Sequence, residues 1–131
     1  MNNGFALVEL AVVVAVAAVL AALAMPAFRG SQLRAGRIDA IDALNRVRSA
    51  QERYRAATGL YAAEFAPLSG AAARSARGLY QLALTPTGPD SYRAEARAQG
   101  VQADDAGCAV ISLEVSLGFA SAGPSAACWN R

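Results

Sequence analysis

The sequence contains no histidine and no lysine, and it has only two cysteines among its 131 residues. Without histidine, the chain lacks the side chain that most often acts as a general base or a metal ligand. Two cysteines are too few for a four-thiolate zinc site. The sequence also has no Gly-x-Ser-x-Gly, no glycine-rich phosphate loop and no Cys-x-x-Cys. We therefore expect no enzymatic activity, no catalytic residue, no cofactor and no metal ion.

Charge is scarce as well. Charged residues make up 17% of the chain, hydrophobic residues make up 55%, and the formal net charge is +2. The length allows one domain with or without an appendage, and the hydrophobic content argues against intrinsic disorder. A net charge this small does not by itself indicate nucleic-acid binding.

The hydrophobic residues are concentrated near the N-terminus. Residues 10–28 carry no charge, and extending the run back to residue 5 adds only Glu9. A helix of this length spans about 36 Å, which is enough to cross a hydrocarbon core of about 30 Å. The run is apolar on every face and therefore does not predict an amphipathic soluble helix. It fits either a plain membrane anchor or a cleavable signal with a small-residue site at 22–24.

Glu9 is explained by neither an anchor nor a signal. A carboxylate costs about 2.5 kcal/mol or more at the centre of a membrane span, and less near the interface. Glu9 is therefore either a functional residue or a side chain solvated at the level of the lipid headgroups.

The segment around Glu9 resembles the N-terminus of type IV pilins. The resemblance depends on Gly4-Phe5, on Glu9 four residues after the Phe, on the apolar run, and on Pro26. It implies that a prepilin peptidase cuts between Gly4 and Phe5, that Phe5 is then N-methylated, and that Glu9 is needed for assembly. It also implies a role for Pro26, which removes a backbone donor and can loosen the helix during assembly.

After the apolar run, residues 31–57 show the period of an amphipathic helix. Its apolar positions are Leu33, Ile41, Leu44, Val47 and Tyr54, with Ile38 and Ala40 beside them. Seven of the twelve arginines lie between residues 29 and 55, together with three acidic residues. This basic face is interpreted either as a DNA-binding stripe or as the solvated side of a long helix, and the second interpretation is the more economical.

The remainder of the chain predicts a small sheet. Gly59 ends the helix, and residues 59–77 are expected to form a structured loop. Strands are predicted at 79–85, 91–99 and 109–117, separated by a turn at 86–90 and a polar loop at 100–107. The expected fold is α+β and pilin-like: a long N-terminal helix packed on an antiparallel sheet of three to four strands. The expected parts are a leader (1–4), a membrane or filament-core helix (5–28), its amphipathic continuation (29–57), an αβ loop (58–77) and the sheet with its C-terminal loop (78–131).

The pilin resemblance also implies a disulfide between Cys108 and Cys128. These residues enclose nineteen others, many of them small, and such a segment stays loose unless it is tied down. Closing a loop of this size stabilises a fold by about 3 kcal/mol. Two separate buried thiols are the alternative. The adjacent acids Asp104 and Asp105 supply too few oxygens for calcium, so a polar loop is the simpler interpretation.

As a pilin, the protein is expected to be a minor or major subunit of a type IV pilus, supporting adhesion, twitching motility or DNA uptake. Its implied partners are other pilin subunits in a homo- or hetero-filament, the prepilin peptidase, the inner-membrane assembly platform and the membrane itself, with DNA as a weaker expectation. The resemblance implies a single pass with a periplasmic C-terminal domain, followed by an extracellular pilus. The arginine distribution alone favours the opposite orientation, because residues 1–3 carry no basic side chain.

Two other functions fit the same sequence. A pseudopilin of a type II secretion system shares this N-terminus, although the cysteine pair near the C-terminus favours a pilus subunit. A secreted globular binding protein with a cleaved signal peptide is the other alternative.

Overall fold

A computed structural model describes residues 3–131 of the chain, so the first two residues of the expected leader lie outside the described residues. A single helix, α1 (Asn3–Thr58), runs through most of the N-terminal half. The chain divides into two compact units, which meet in sequence between Gln32 and Leu33.

The first unit contains the apolar half of α1. Side chains of residues 4–29 are exposed, and by length and composition α1 could cross a membrane. Pro26 lies inside α1, which continues on both sides of it. An apolar helix surface with nothing packed on it is what a membrane span or a filament core requires.

In the second unit, the amphipathic half of α1 packs on the sheet. Ala40, Leu44 and Val47 are fully buried, as their spacing predicts. Ile38 is 53% exposed, contrary to its expected place beside the apolar stripe. Two residues along a helix correspond to a rotation of about 200°, so Ile38 points away from the face on which Ala40 lies.

The sheet is antiparallel and has the order β1-β2-β3-β4. Its strands are β1 (Tyr80–Gly88), β2 (Ser91–Ala98), β3 (Val110–Ser116) and β4 (Phe119–Gly123). Alternate residues of the first three strands face α1 and form the core with it; the buried ones are Tyr80, Leu82, Tyr92, Ala94, Ala96, Ile111, Leu113 and Val115. The α+β pilin-like fold is therefore confirmed, with four strands.

Two parts of the sheet differ from the strands predicted from the sequence. β1 continues through Pro86 to Gly88, although a turn was expected to begin at Pro86. A bulge lies between Pro86 and Gly88. Proline is compatible with β1 because β1 is an edge strand. β4 lies in the tail that was expected to be a loop, and it pairs with β3 through a tight turn in which Leu117 and Gly118 have positive φ angles of 51° and 83°. This turn geometry is typical of two-residue hairpins and can be formed by a segment with little hydrophobicity.

Two short 3₁₀ helices, Gly100–Asp104 and Ala126–Trp129, complete the second unit. The first approaches α1 closely at Gly36, where an added Cβ would collide with the Gln102 side-chain amide. The Gln102 amide nitrogen donates to the Leu33 carbonyl and to the Tyr80 hydroxyl, both at 2.9 Å. The absence of a side chain at Gly36 therefore lets one buried amide connect α1, β1 and the polar loop.

Candidate functional site

The αβ loop, which in the structure comprises residues 59–79 between α1 and β1, is held against α1 by two buried helix side chains. The Asp39 carboxylate accepts hydrogen bonds from the backbone N–H groups of Arg77 at 3.0 Å and Leu79 at 3.2 Å. The Gln51 amide makes two hydrogen bonds of 2.8 Å with the backbone of Ala62, one as donor and one as acceptor. Both ends of the loop are thereby fixed to the helix, and the arginines of the loop acquire a defined position beside it.

A groove lies between α1 and the αβ loop, and it consists of two adjoining cavities of about 260 and 370 Å³. We call it the arginine groove. Its charged lining comes from both elements: Asp39, Asp42, Arg46 and Arg53 from α1, and Arg74 and Arg77 from the loop. Four guanidinium groups against two carboxylates leave this surface with a net positive charge.

The groove arginines differ in their partners from four other arginines of the second unit. Each of these four forms an ion pair with a carboxylate; they are Arg37, Arg55, Arg93 and Arg97. Within residues 3–131, no groove arginine forms such a pair. Arg53 donates one hydrogen bond, to the Ser69 carbonyl at 2.9 Å. The two carboxylates in the groove lining therefore offset its positive charge only in part.

The outer face of the sheet shows the opposite arrangement. Arg93 lies 3.1 Å from Glu95 and 3.7 Å from Glu114, and Arg97 lies 2.9 Å from Glu95. Two arginines and two glutamates balance one another there. The electrostatic attraction for an anionic ligand is therefore small at this face of the sheet and larger at the arginine groove.

A comparison with protein families matches much of the chain to a known family. The model described as "Type IV minor pilin ComP, DNA uptake sequence receptor" matches residues 26–112, which is well over half of the chain. The chain belongs to this family of type IV minor pilins. A comparison with curated proteins finds no match. The matched residues do not include segment 4–25, which contains Gly4, Phe5 and Glu9. Most of the N-terminal motif therefore indicates a pilin from a different part of the chain than the family model does.

The C-terminal segment of this minor pilin is closed by the disulfide that the resemblance implied. Cys108 and Cys128 are joined with an S–S distance of 2.03 Å. The enclosed segment contains β3, β4 and the first half of the second 3₁₀ helix. Trp129 follows directly, is buried, and donates from Nε1 to the Gly123 carbonyl at 2.9 Å.

Arg37 of α1 holds the same region from the helix side. Its guanidinium makes a two-point contact with Asp105, with Nε to Oδ2 at 2.7 Å and Nη2 to Oδ1 at 2.8 Å. Its Nη1 donates to the Ala127 carbonyl at 2.9 Å. The hydrogen bond to Asp105 raises the pKa of Arg37 above its ordinary value. One side chain therefore ties both 3₁₀ regions to α1, with Asp105 as its ion-pair partner.

The assembly residues expected from the sequence all lie in the first unit. Gly4, Phe5 and Glu9 are exposed on the first turns of α1, and Phe5 is 85% exposed. Pro26 lies about five turns beyond Glu9 along the helix. The processing and assembly roles of these four residues remain predictions, because each involves another molecule.

The loop side of the groove was not predicted from the sequence. The basic stripe expected on α1 includes Arg46 and Arg53. Arg74 and Arg77, in contrast, lie in a segment without periodicity. Their proximity to the helix depends on the Asp39 and Gln51 contacts. A useful signal was available in Asp39, a carboxylate on the otherwise apolar side of the helix that needed a partner.

Proposed function

We propose that this minor pilin is a pilus subunit that binds DNA through the arginine groove. The observation that carries the proposal is a groove lined by four arginines, none of which forms an ion pair with a carboxylate of residues 3–131. The family description names a DNA uptake sequence receptor, which supports the same ligand. Of the roles implied by the pilin resemblance, DNA uptake is the one that this surface favours over adhesion or motility.

The chemistry of the groove suits a phosphate backbone. Guanidinium groups bind phosphate oxygens with two parallel hydrogen bonds, and each contact releases counterions from the DNA. Arg46 and Arg53 lie about two turns apart on α1, and Arg74 and Arg77 face them from the loop. A ligand in the groove can therefore contact both walls at once.

The first half of α1 supplies the assembly function in this proposal. It stores the subunit in the inner membrane and becomes part of the filament core, where the pilin partners surround it. After cleavage, the free amine of Phe5 would attract Glu9 of a neighbouring subunit in a medium of low dielectric. Leaving either charge unpaired is costly there, so the pair would fix the axial register between subunits.

DNA binding is tested with the full chain in an uncharged detergent and a fluorescein-labelled duplex of 20 base pairs. Fluorescence anisotropy at several salt concentrations gives the affinity and its salt dependence. Contact with four phosphates corresponds to a slope of log affinity against log salt of about −3.6, or about −0.9 per contact. Replacing Arg46, Arg74 and Arg77 together by glutamine should flatten the slope by about 2.7 and weaken binding at low salt.

The matched control removes an arginine that is already neutralised. Arg93→Gln eliminates the same charge from the outer sheet face, and it should leave both affinity and slope close to wild type. Equal weakening by Arg93→Gln and Arg46→Gln would contradict a specific role for the groove and indicate a general effect of net charge.

Processing is tested by intact-mass measurement of the membrane pool. The expected mature chain begins at Phe5 and carries one additional methyl group, and Gly4→Arg should block its formation because the peptidase site requires a small residue. A mature chain that retains Gly4 would refute the expected cleavage. A chain that begins near Met25 would instead support a cleaved signal peptide.

A further inference from the structure

Asp42 is an exposed carboxylate inside a groove whose charged lining is mostly basic. It lines both cavities of the arginine groove. Among the described residues it has no hydrogen bond or ion pair, although Arg46 lies one helical turn away. Asp39 is different, because it is buried and each of its oxygens accepts a backbone hydrogen bond. Asp42 is therefore accessible to a ligand, whereas Asp39 is not.

A free carboxylate at this position opposes phosphate binding. It repels the DNA backbone and lowers the attraction that the four groove arginines provide. A carboxylate makes a favourable contact with DNA when it meets a hydrogen-bond donor. The donors on DNA are the amino groups of the bases, and in the major groove the N4 amino group of cytosine is the usual partner of Asp and Glu.

We propose that Asp42 is a base-reading residue, which accepts a hydrogen bond from cytosine N4 while the groove arginines hold the phosphate backbone. The inference rests on the proposed DNA-binding function and adds a specificity residue to it. Contacts to phosphates position a protein on DNA but carry no sequence information, whereas contacts to base edges do. Asp42 supplies an acceptor beside four donors, so the groove can distinguish one base while it binds the backbone.

The proposal is tested by selection from a pool of DNA duplexes. Full-length protein in uncharged detergent is incubated with duplexes containing twelve random base pairs, and the bound fraction is sequenced. Wild type is compared with Asp42→Ala, Asp42→Asn and the control Glu64→Gln. Glu64 is exposed, is not among the residues lining the arginine groove, and its replacement removes the same single negative charge.

Wild type should select cytosine at one position by about fivefold or more over the other bases, the discrimination expected of a good base contact. Asp42→Ala should lose this preference. Asp42→Asn should change it to adenine, because an amide can bond to both N6 and N7 of adenine. Glu64→Gln should select the same bases as wild type. Tryptophan fluorescence and circular dichroism confirm that each variant is folded.

The proposal is overturned if Asp42→Asn and Asp42→Ala keep the base preference of wild type and simply bind the whole pool more tightly. Asp42 would then act as a repulsive charge. If wild type selects no base but binds the pool, the base-reading role fails while DNA binding stands. If wild type binds no duplex at all, both the DNA-binding function and the role of Asp42 are refuted.

Discussion

Replacing Arg37 by methionine should destabilise the C-terminal part of the second unit by about 3 kcal/mol. The side chains of Arg37 and Asp105 are only 11% and 7% exposed. Methionine has a similar length but no charge, so the carboxylate would remain nearly buried without its partner. The carbonyl of Ala127 would lose its donor as well. Removal of one member of a buried pair costs about 3–5 kcal/mol, and the residual exposure places this pair at the lower end of that range.

The assay uses Trp129, the only tryptophan in the chain. It is buried beside Cys128, so its fluorescence reports the packing of the C-terminal segment. With a urea m-value of about 1–3 kcal/mol per M, a loss of 3 kcal/mol lowers the midpoint of the fluorescence transition by about 1–3 M. Far-UV circular dichroism on the same samples follows α1, whose transition should shift less.

A double-mutant cycle separates the pair from its surroundings. Arg37→Met combined with Asp105→Asn removes both charges, so the double variant should be more stable than the sum of the single effects indicates, by about 1–3 kcal/mol. Arg93→Met is the control, because Arg93 is 45% exposed and its ion pairs should contribute about 0.5 kcal/mol or less. If Arg37→Met costs no more than Arg93→Met, or if the cycle is additive, the proposed stabilising role of the Arg37–Asp105 pair is refuted.

Three further predictions concern other parts of the chain. Glu9→Leu should leave membrane insertion intact and reduce incorporation into filaments, because the charge that pairs with the neighbouring amine is lost; normal co-assembly with wild type would contradict this. Tyr92→Phe should leave stability unchanged or raise it by up to about 1 kcal/mol, because the buried Tyr92 hydroxyl has no partner among the described residues. Burial raises the pKa of Tyr92, so wild type should lose stability as the pH rises above about 10, and urea unfolding at pH 8 and 11 should show a smaller loss for Tyr92→Phe. Cys108→Ser should increase proteolysis near the C-terminus without affecting membrane insertion, because loop closure is lost while α1 keeps its own contacts. An unchanged cleavage pattern would contradict this and show that the Arg37 contacts hold the C-terminal segment without the disulfide.

Elements with a clear hydrophobic period were predictable from the sequence. The spacing of Leu44 and Val47 identified the buried face of α1, and the alternation in β2 and β3 identified their inward side chains. Boundaries were less accurate where local signals were mixed. Pro86 suggested a turn but lies in an edge strand, and the low hydrophobicity of 119–123 concealed β4.

The membrane-compatible helix and the α+β fold were predictable from the sequence, because a charge-free run and a periodic pattern are local properties of the chain. The pilin family was expected from the resemblance of the segment around Glu9 to type IV pilins. The sequence could not determine the arginine groove. Arg46 and Arg74 are far apart in sequence, and their common surface exists because Asp39 and Gln51 fix the αβ loop to α1. Whether an arginine is neutralised likewise depends on which carboxylate the fold places within 4 Å, as Asp105 is placed beside Arg37. Pairing in space therefore decides which charges remain available to a ligand, and composition alone does not.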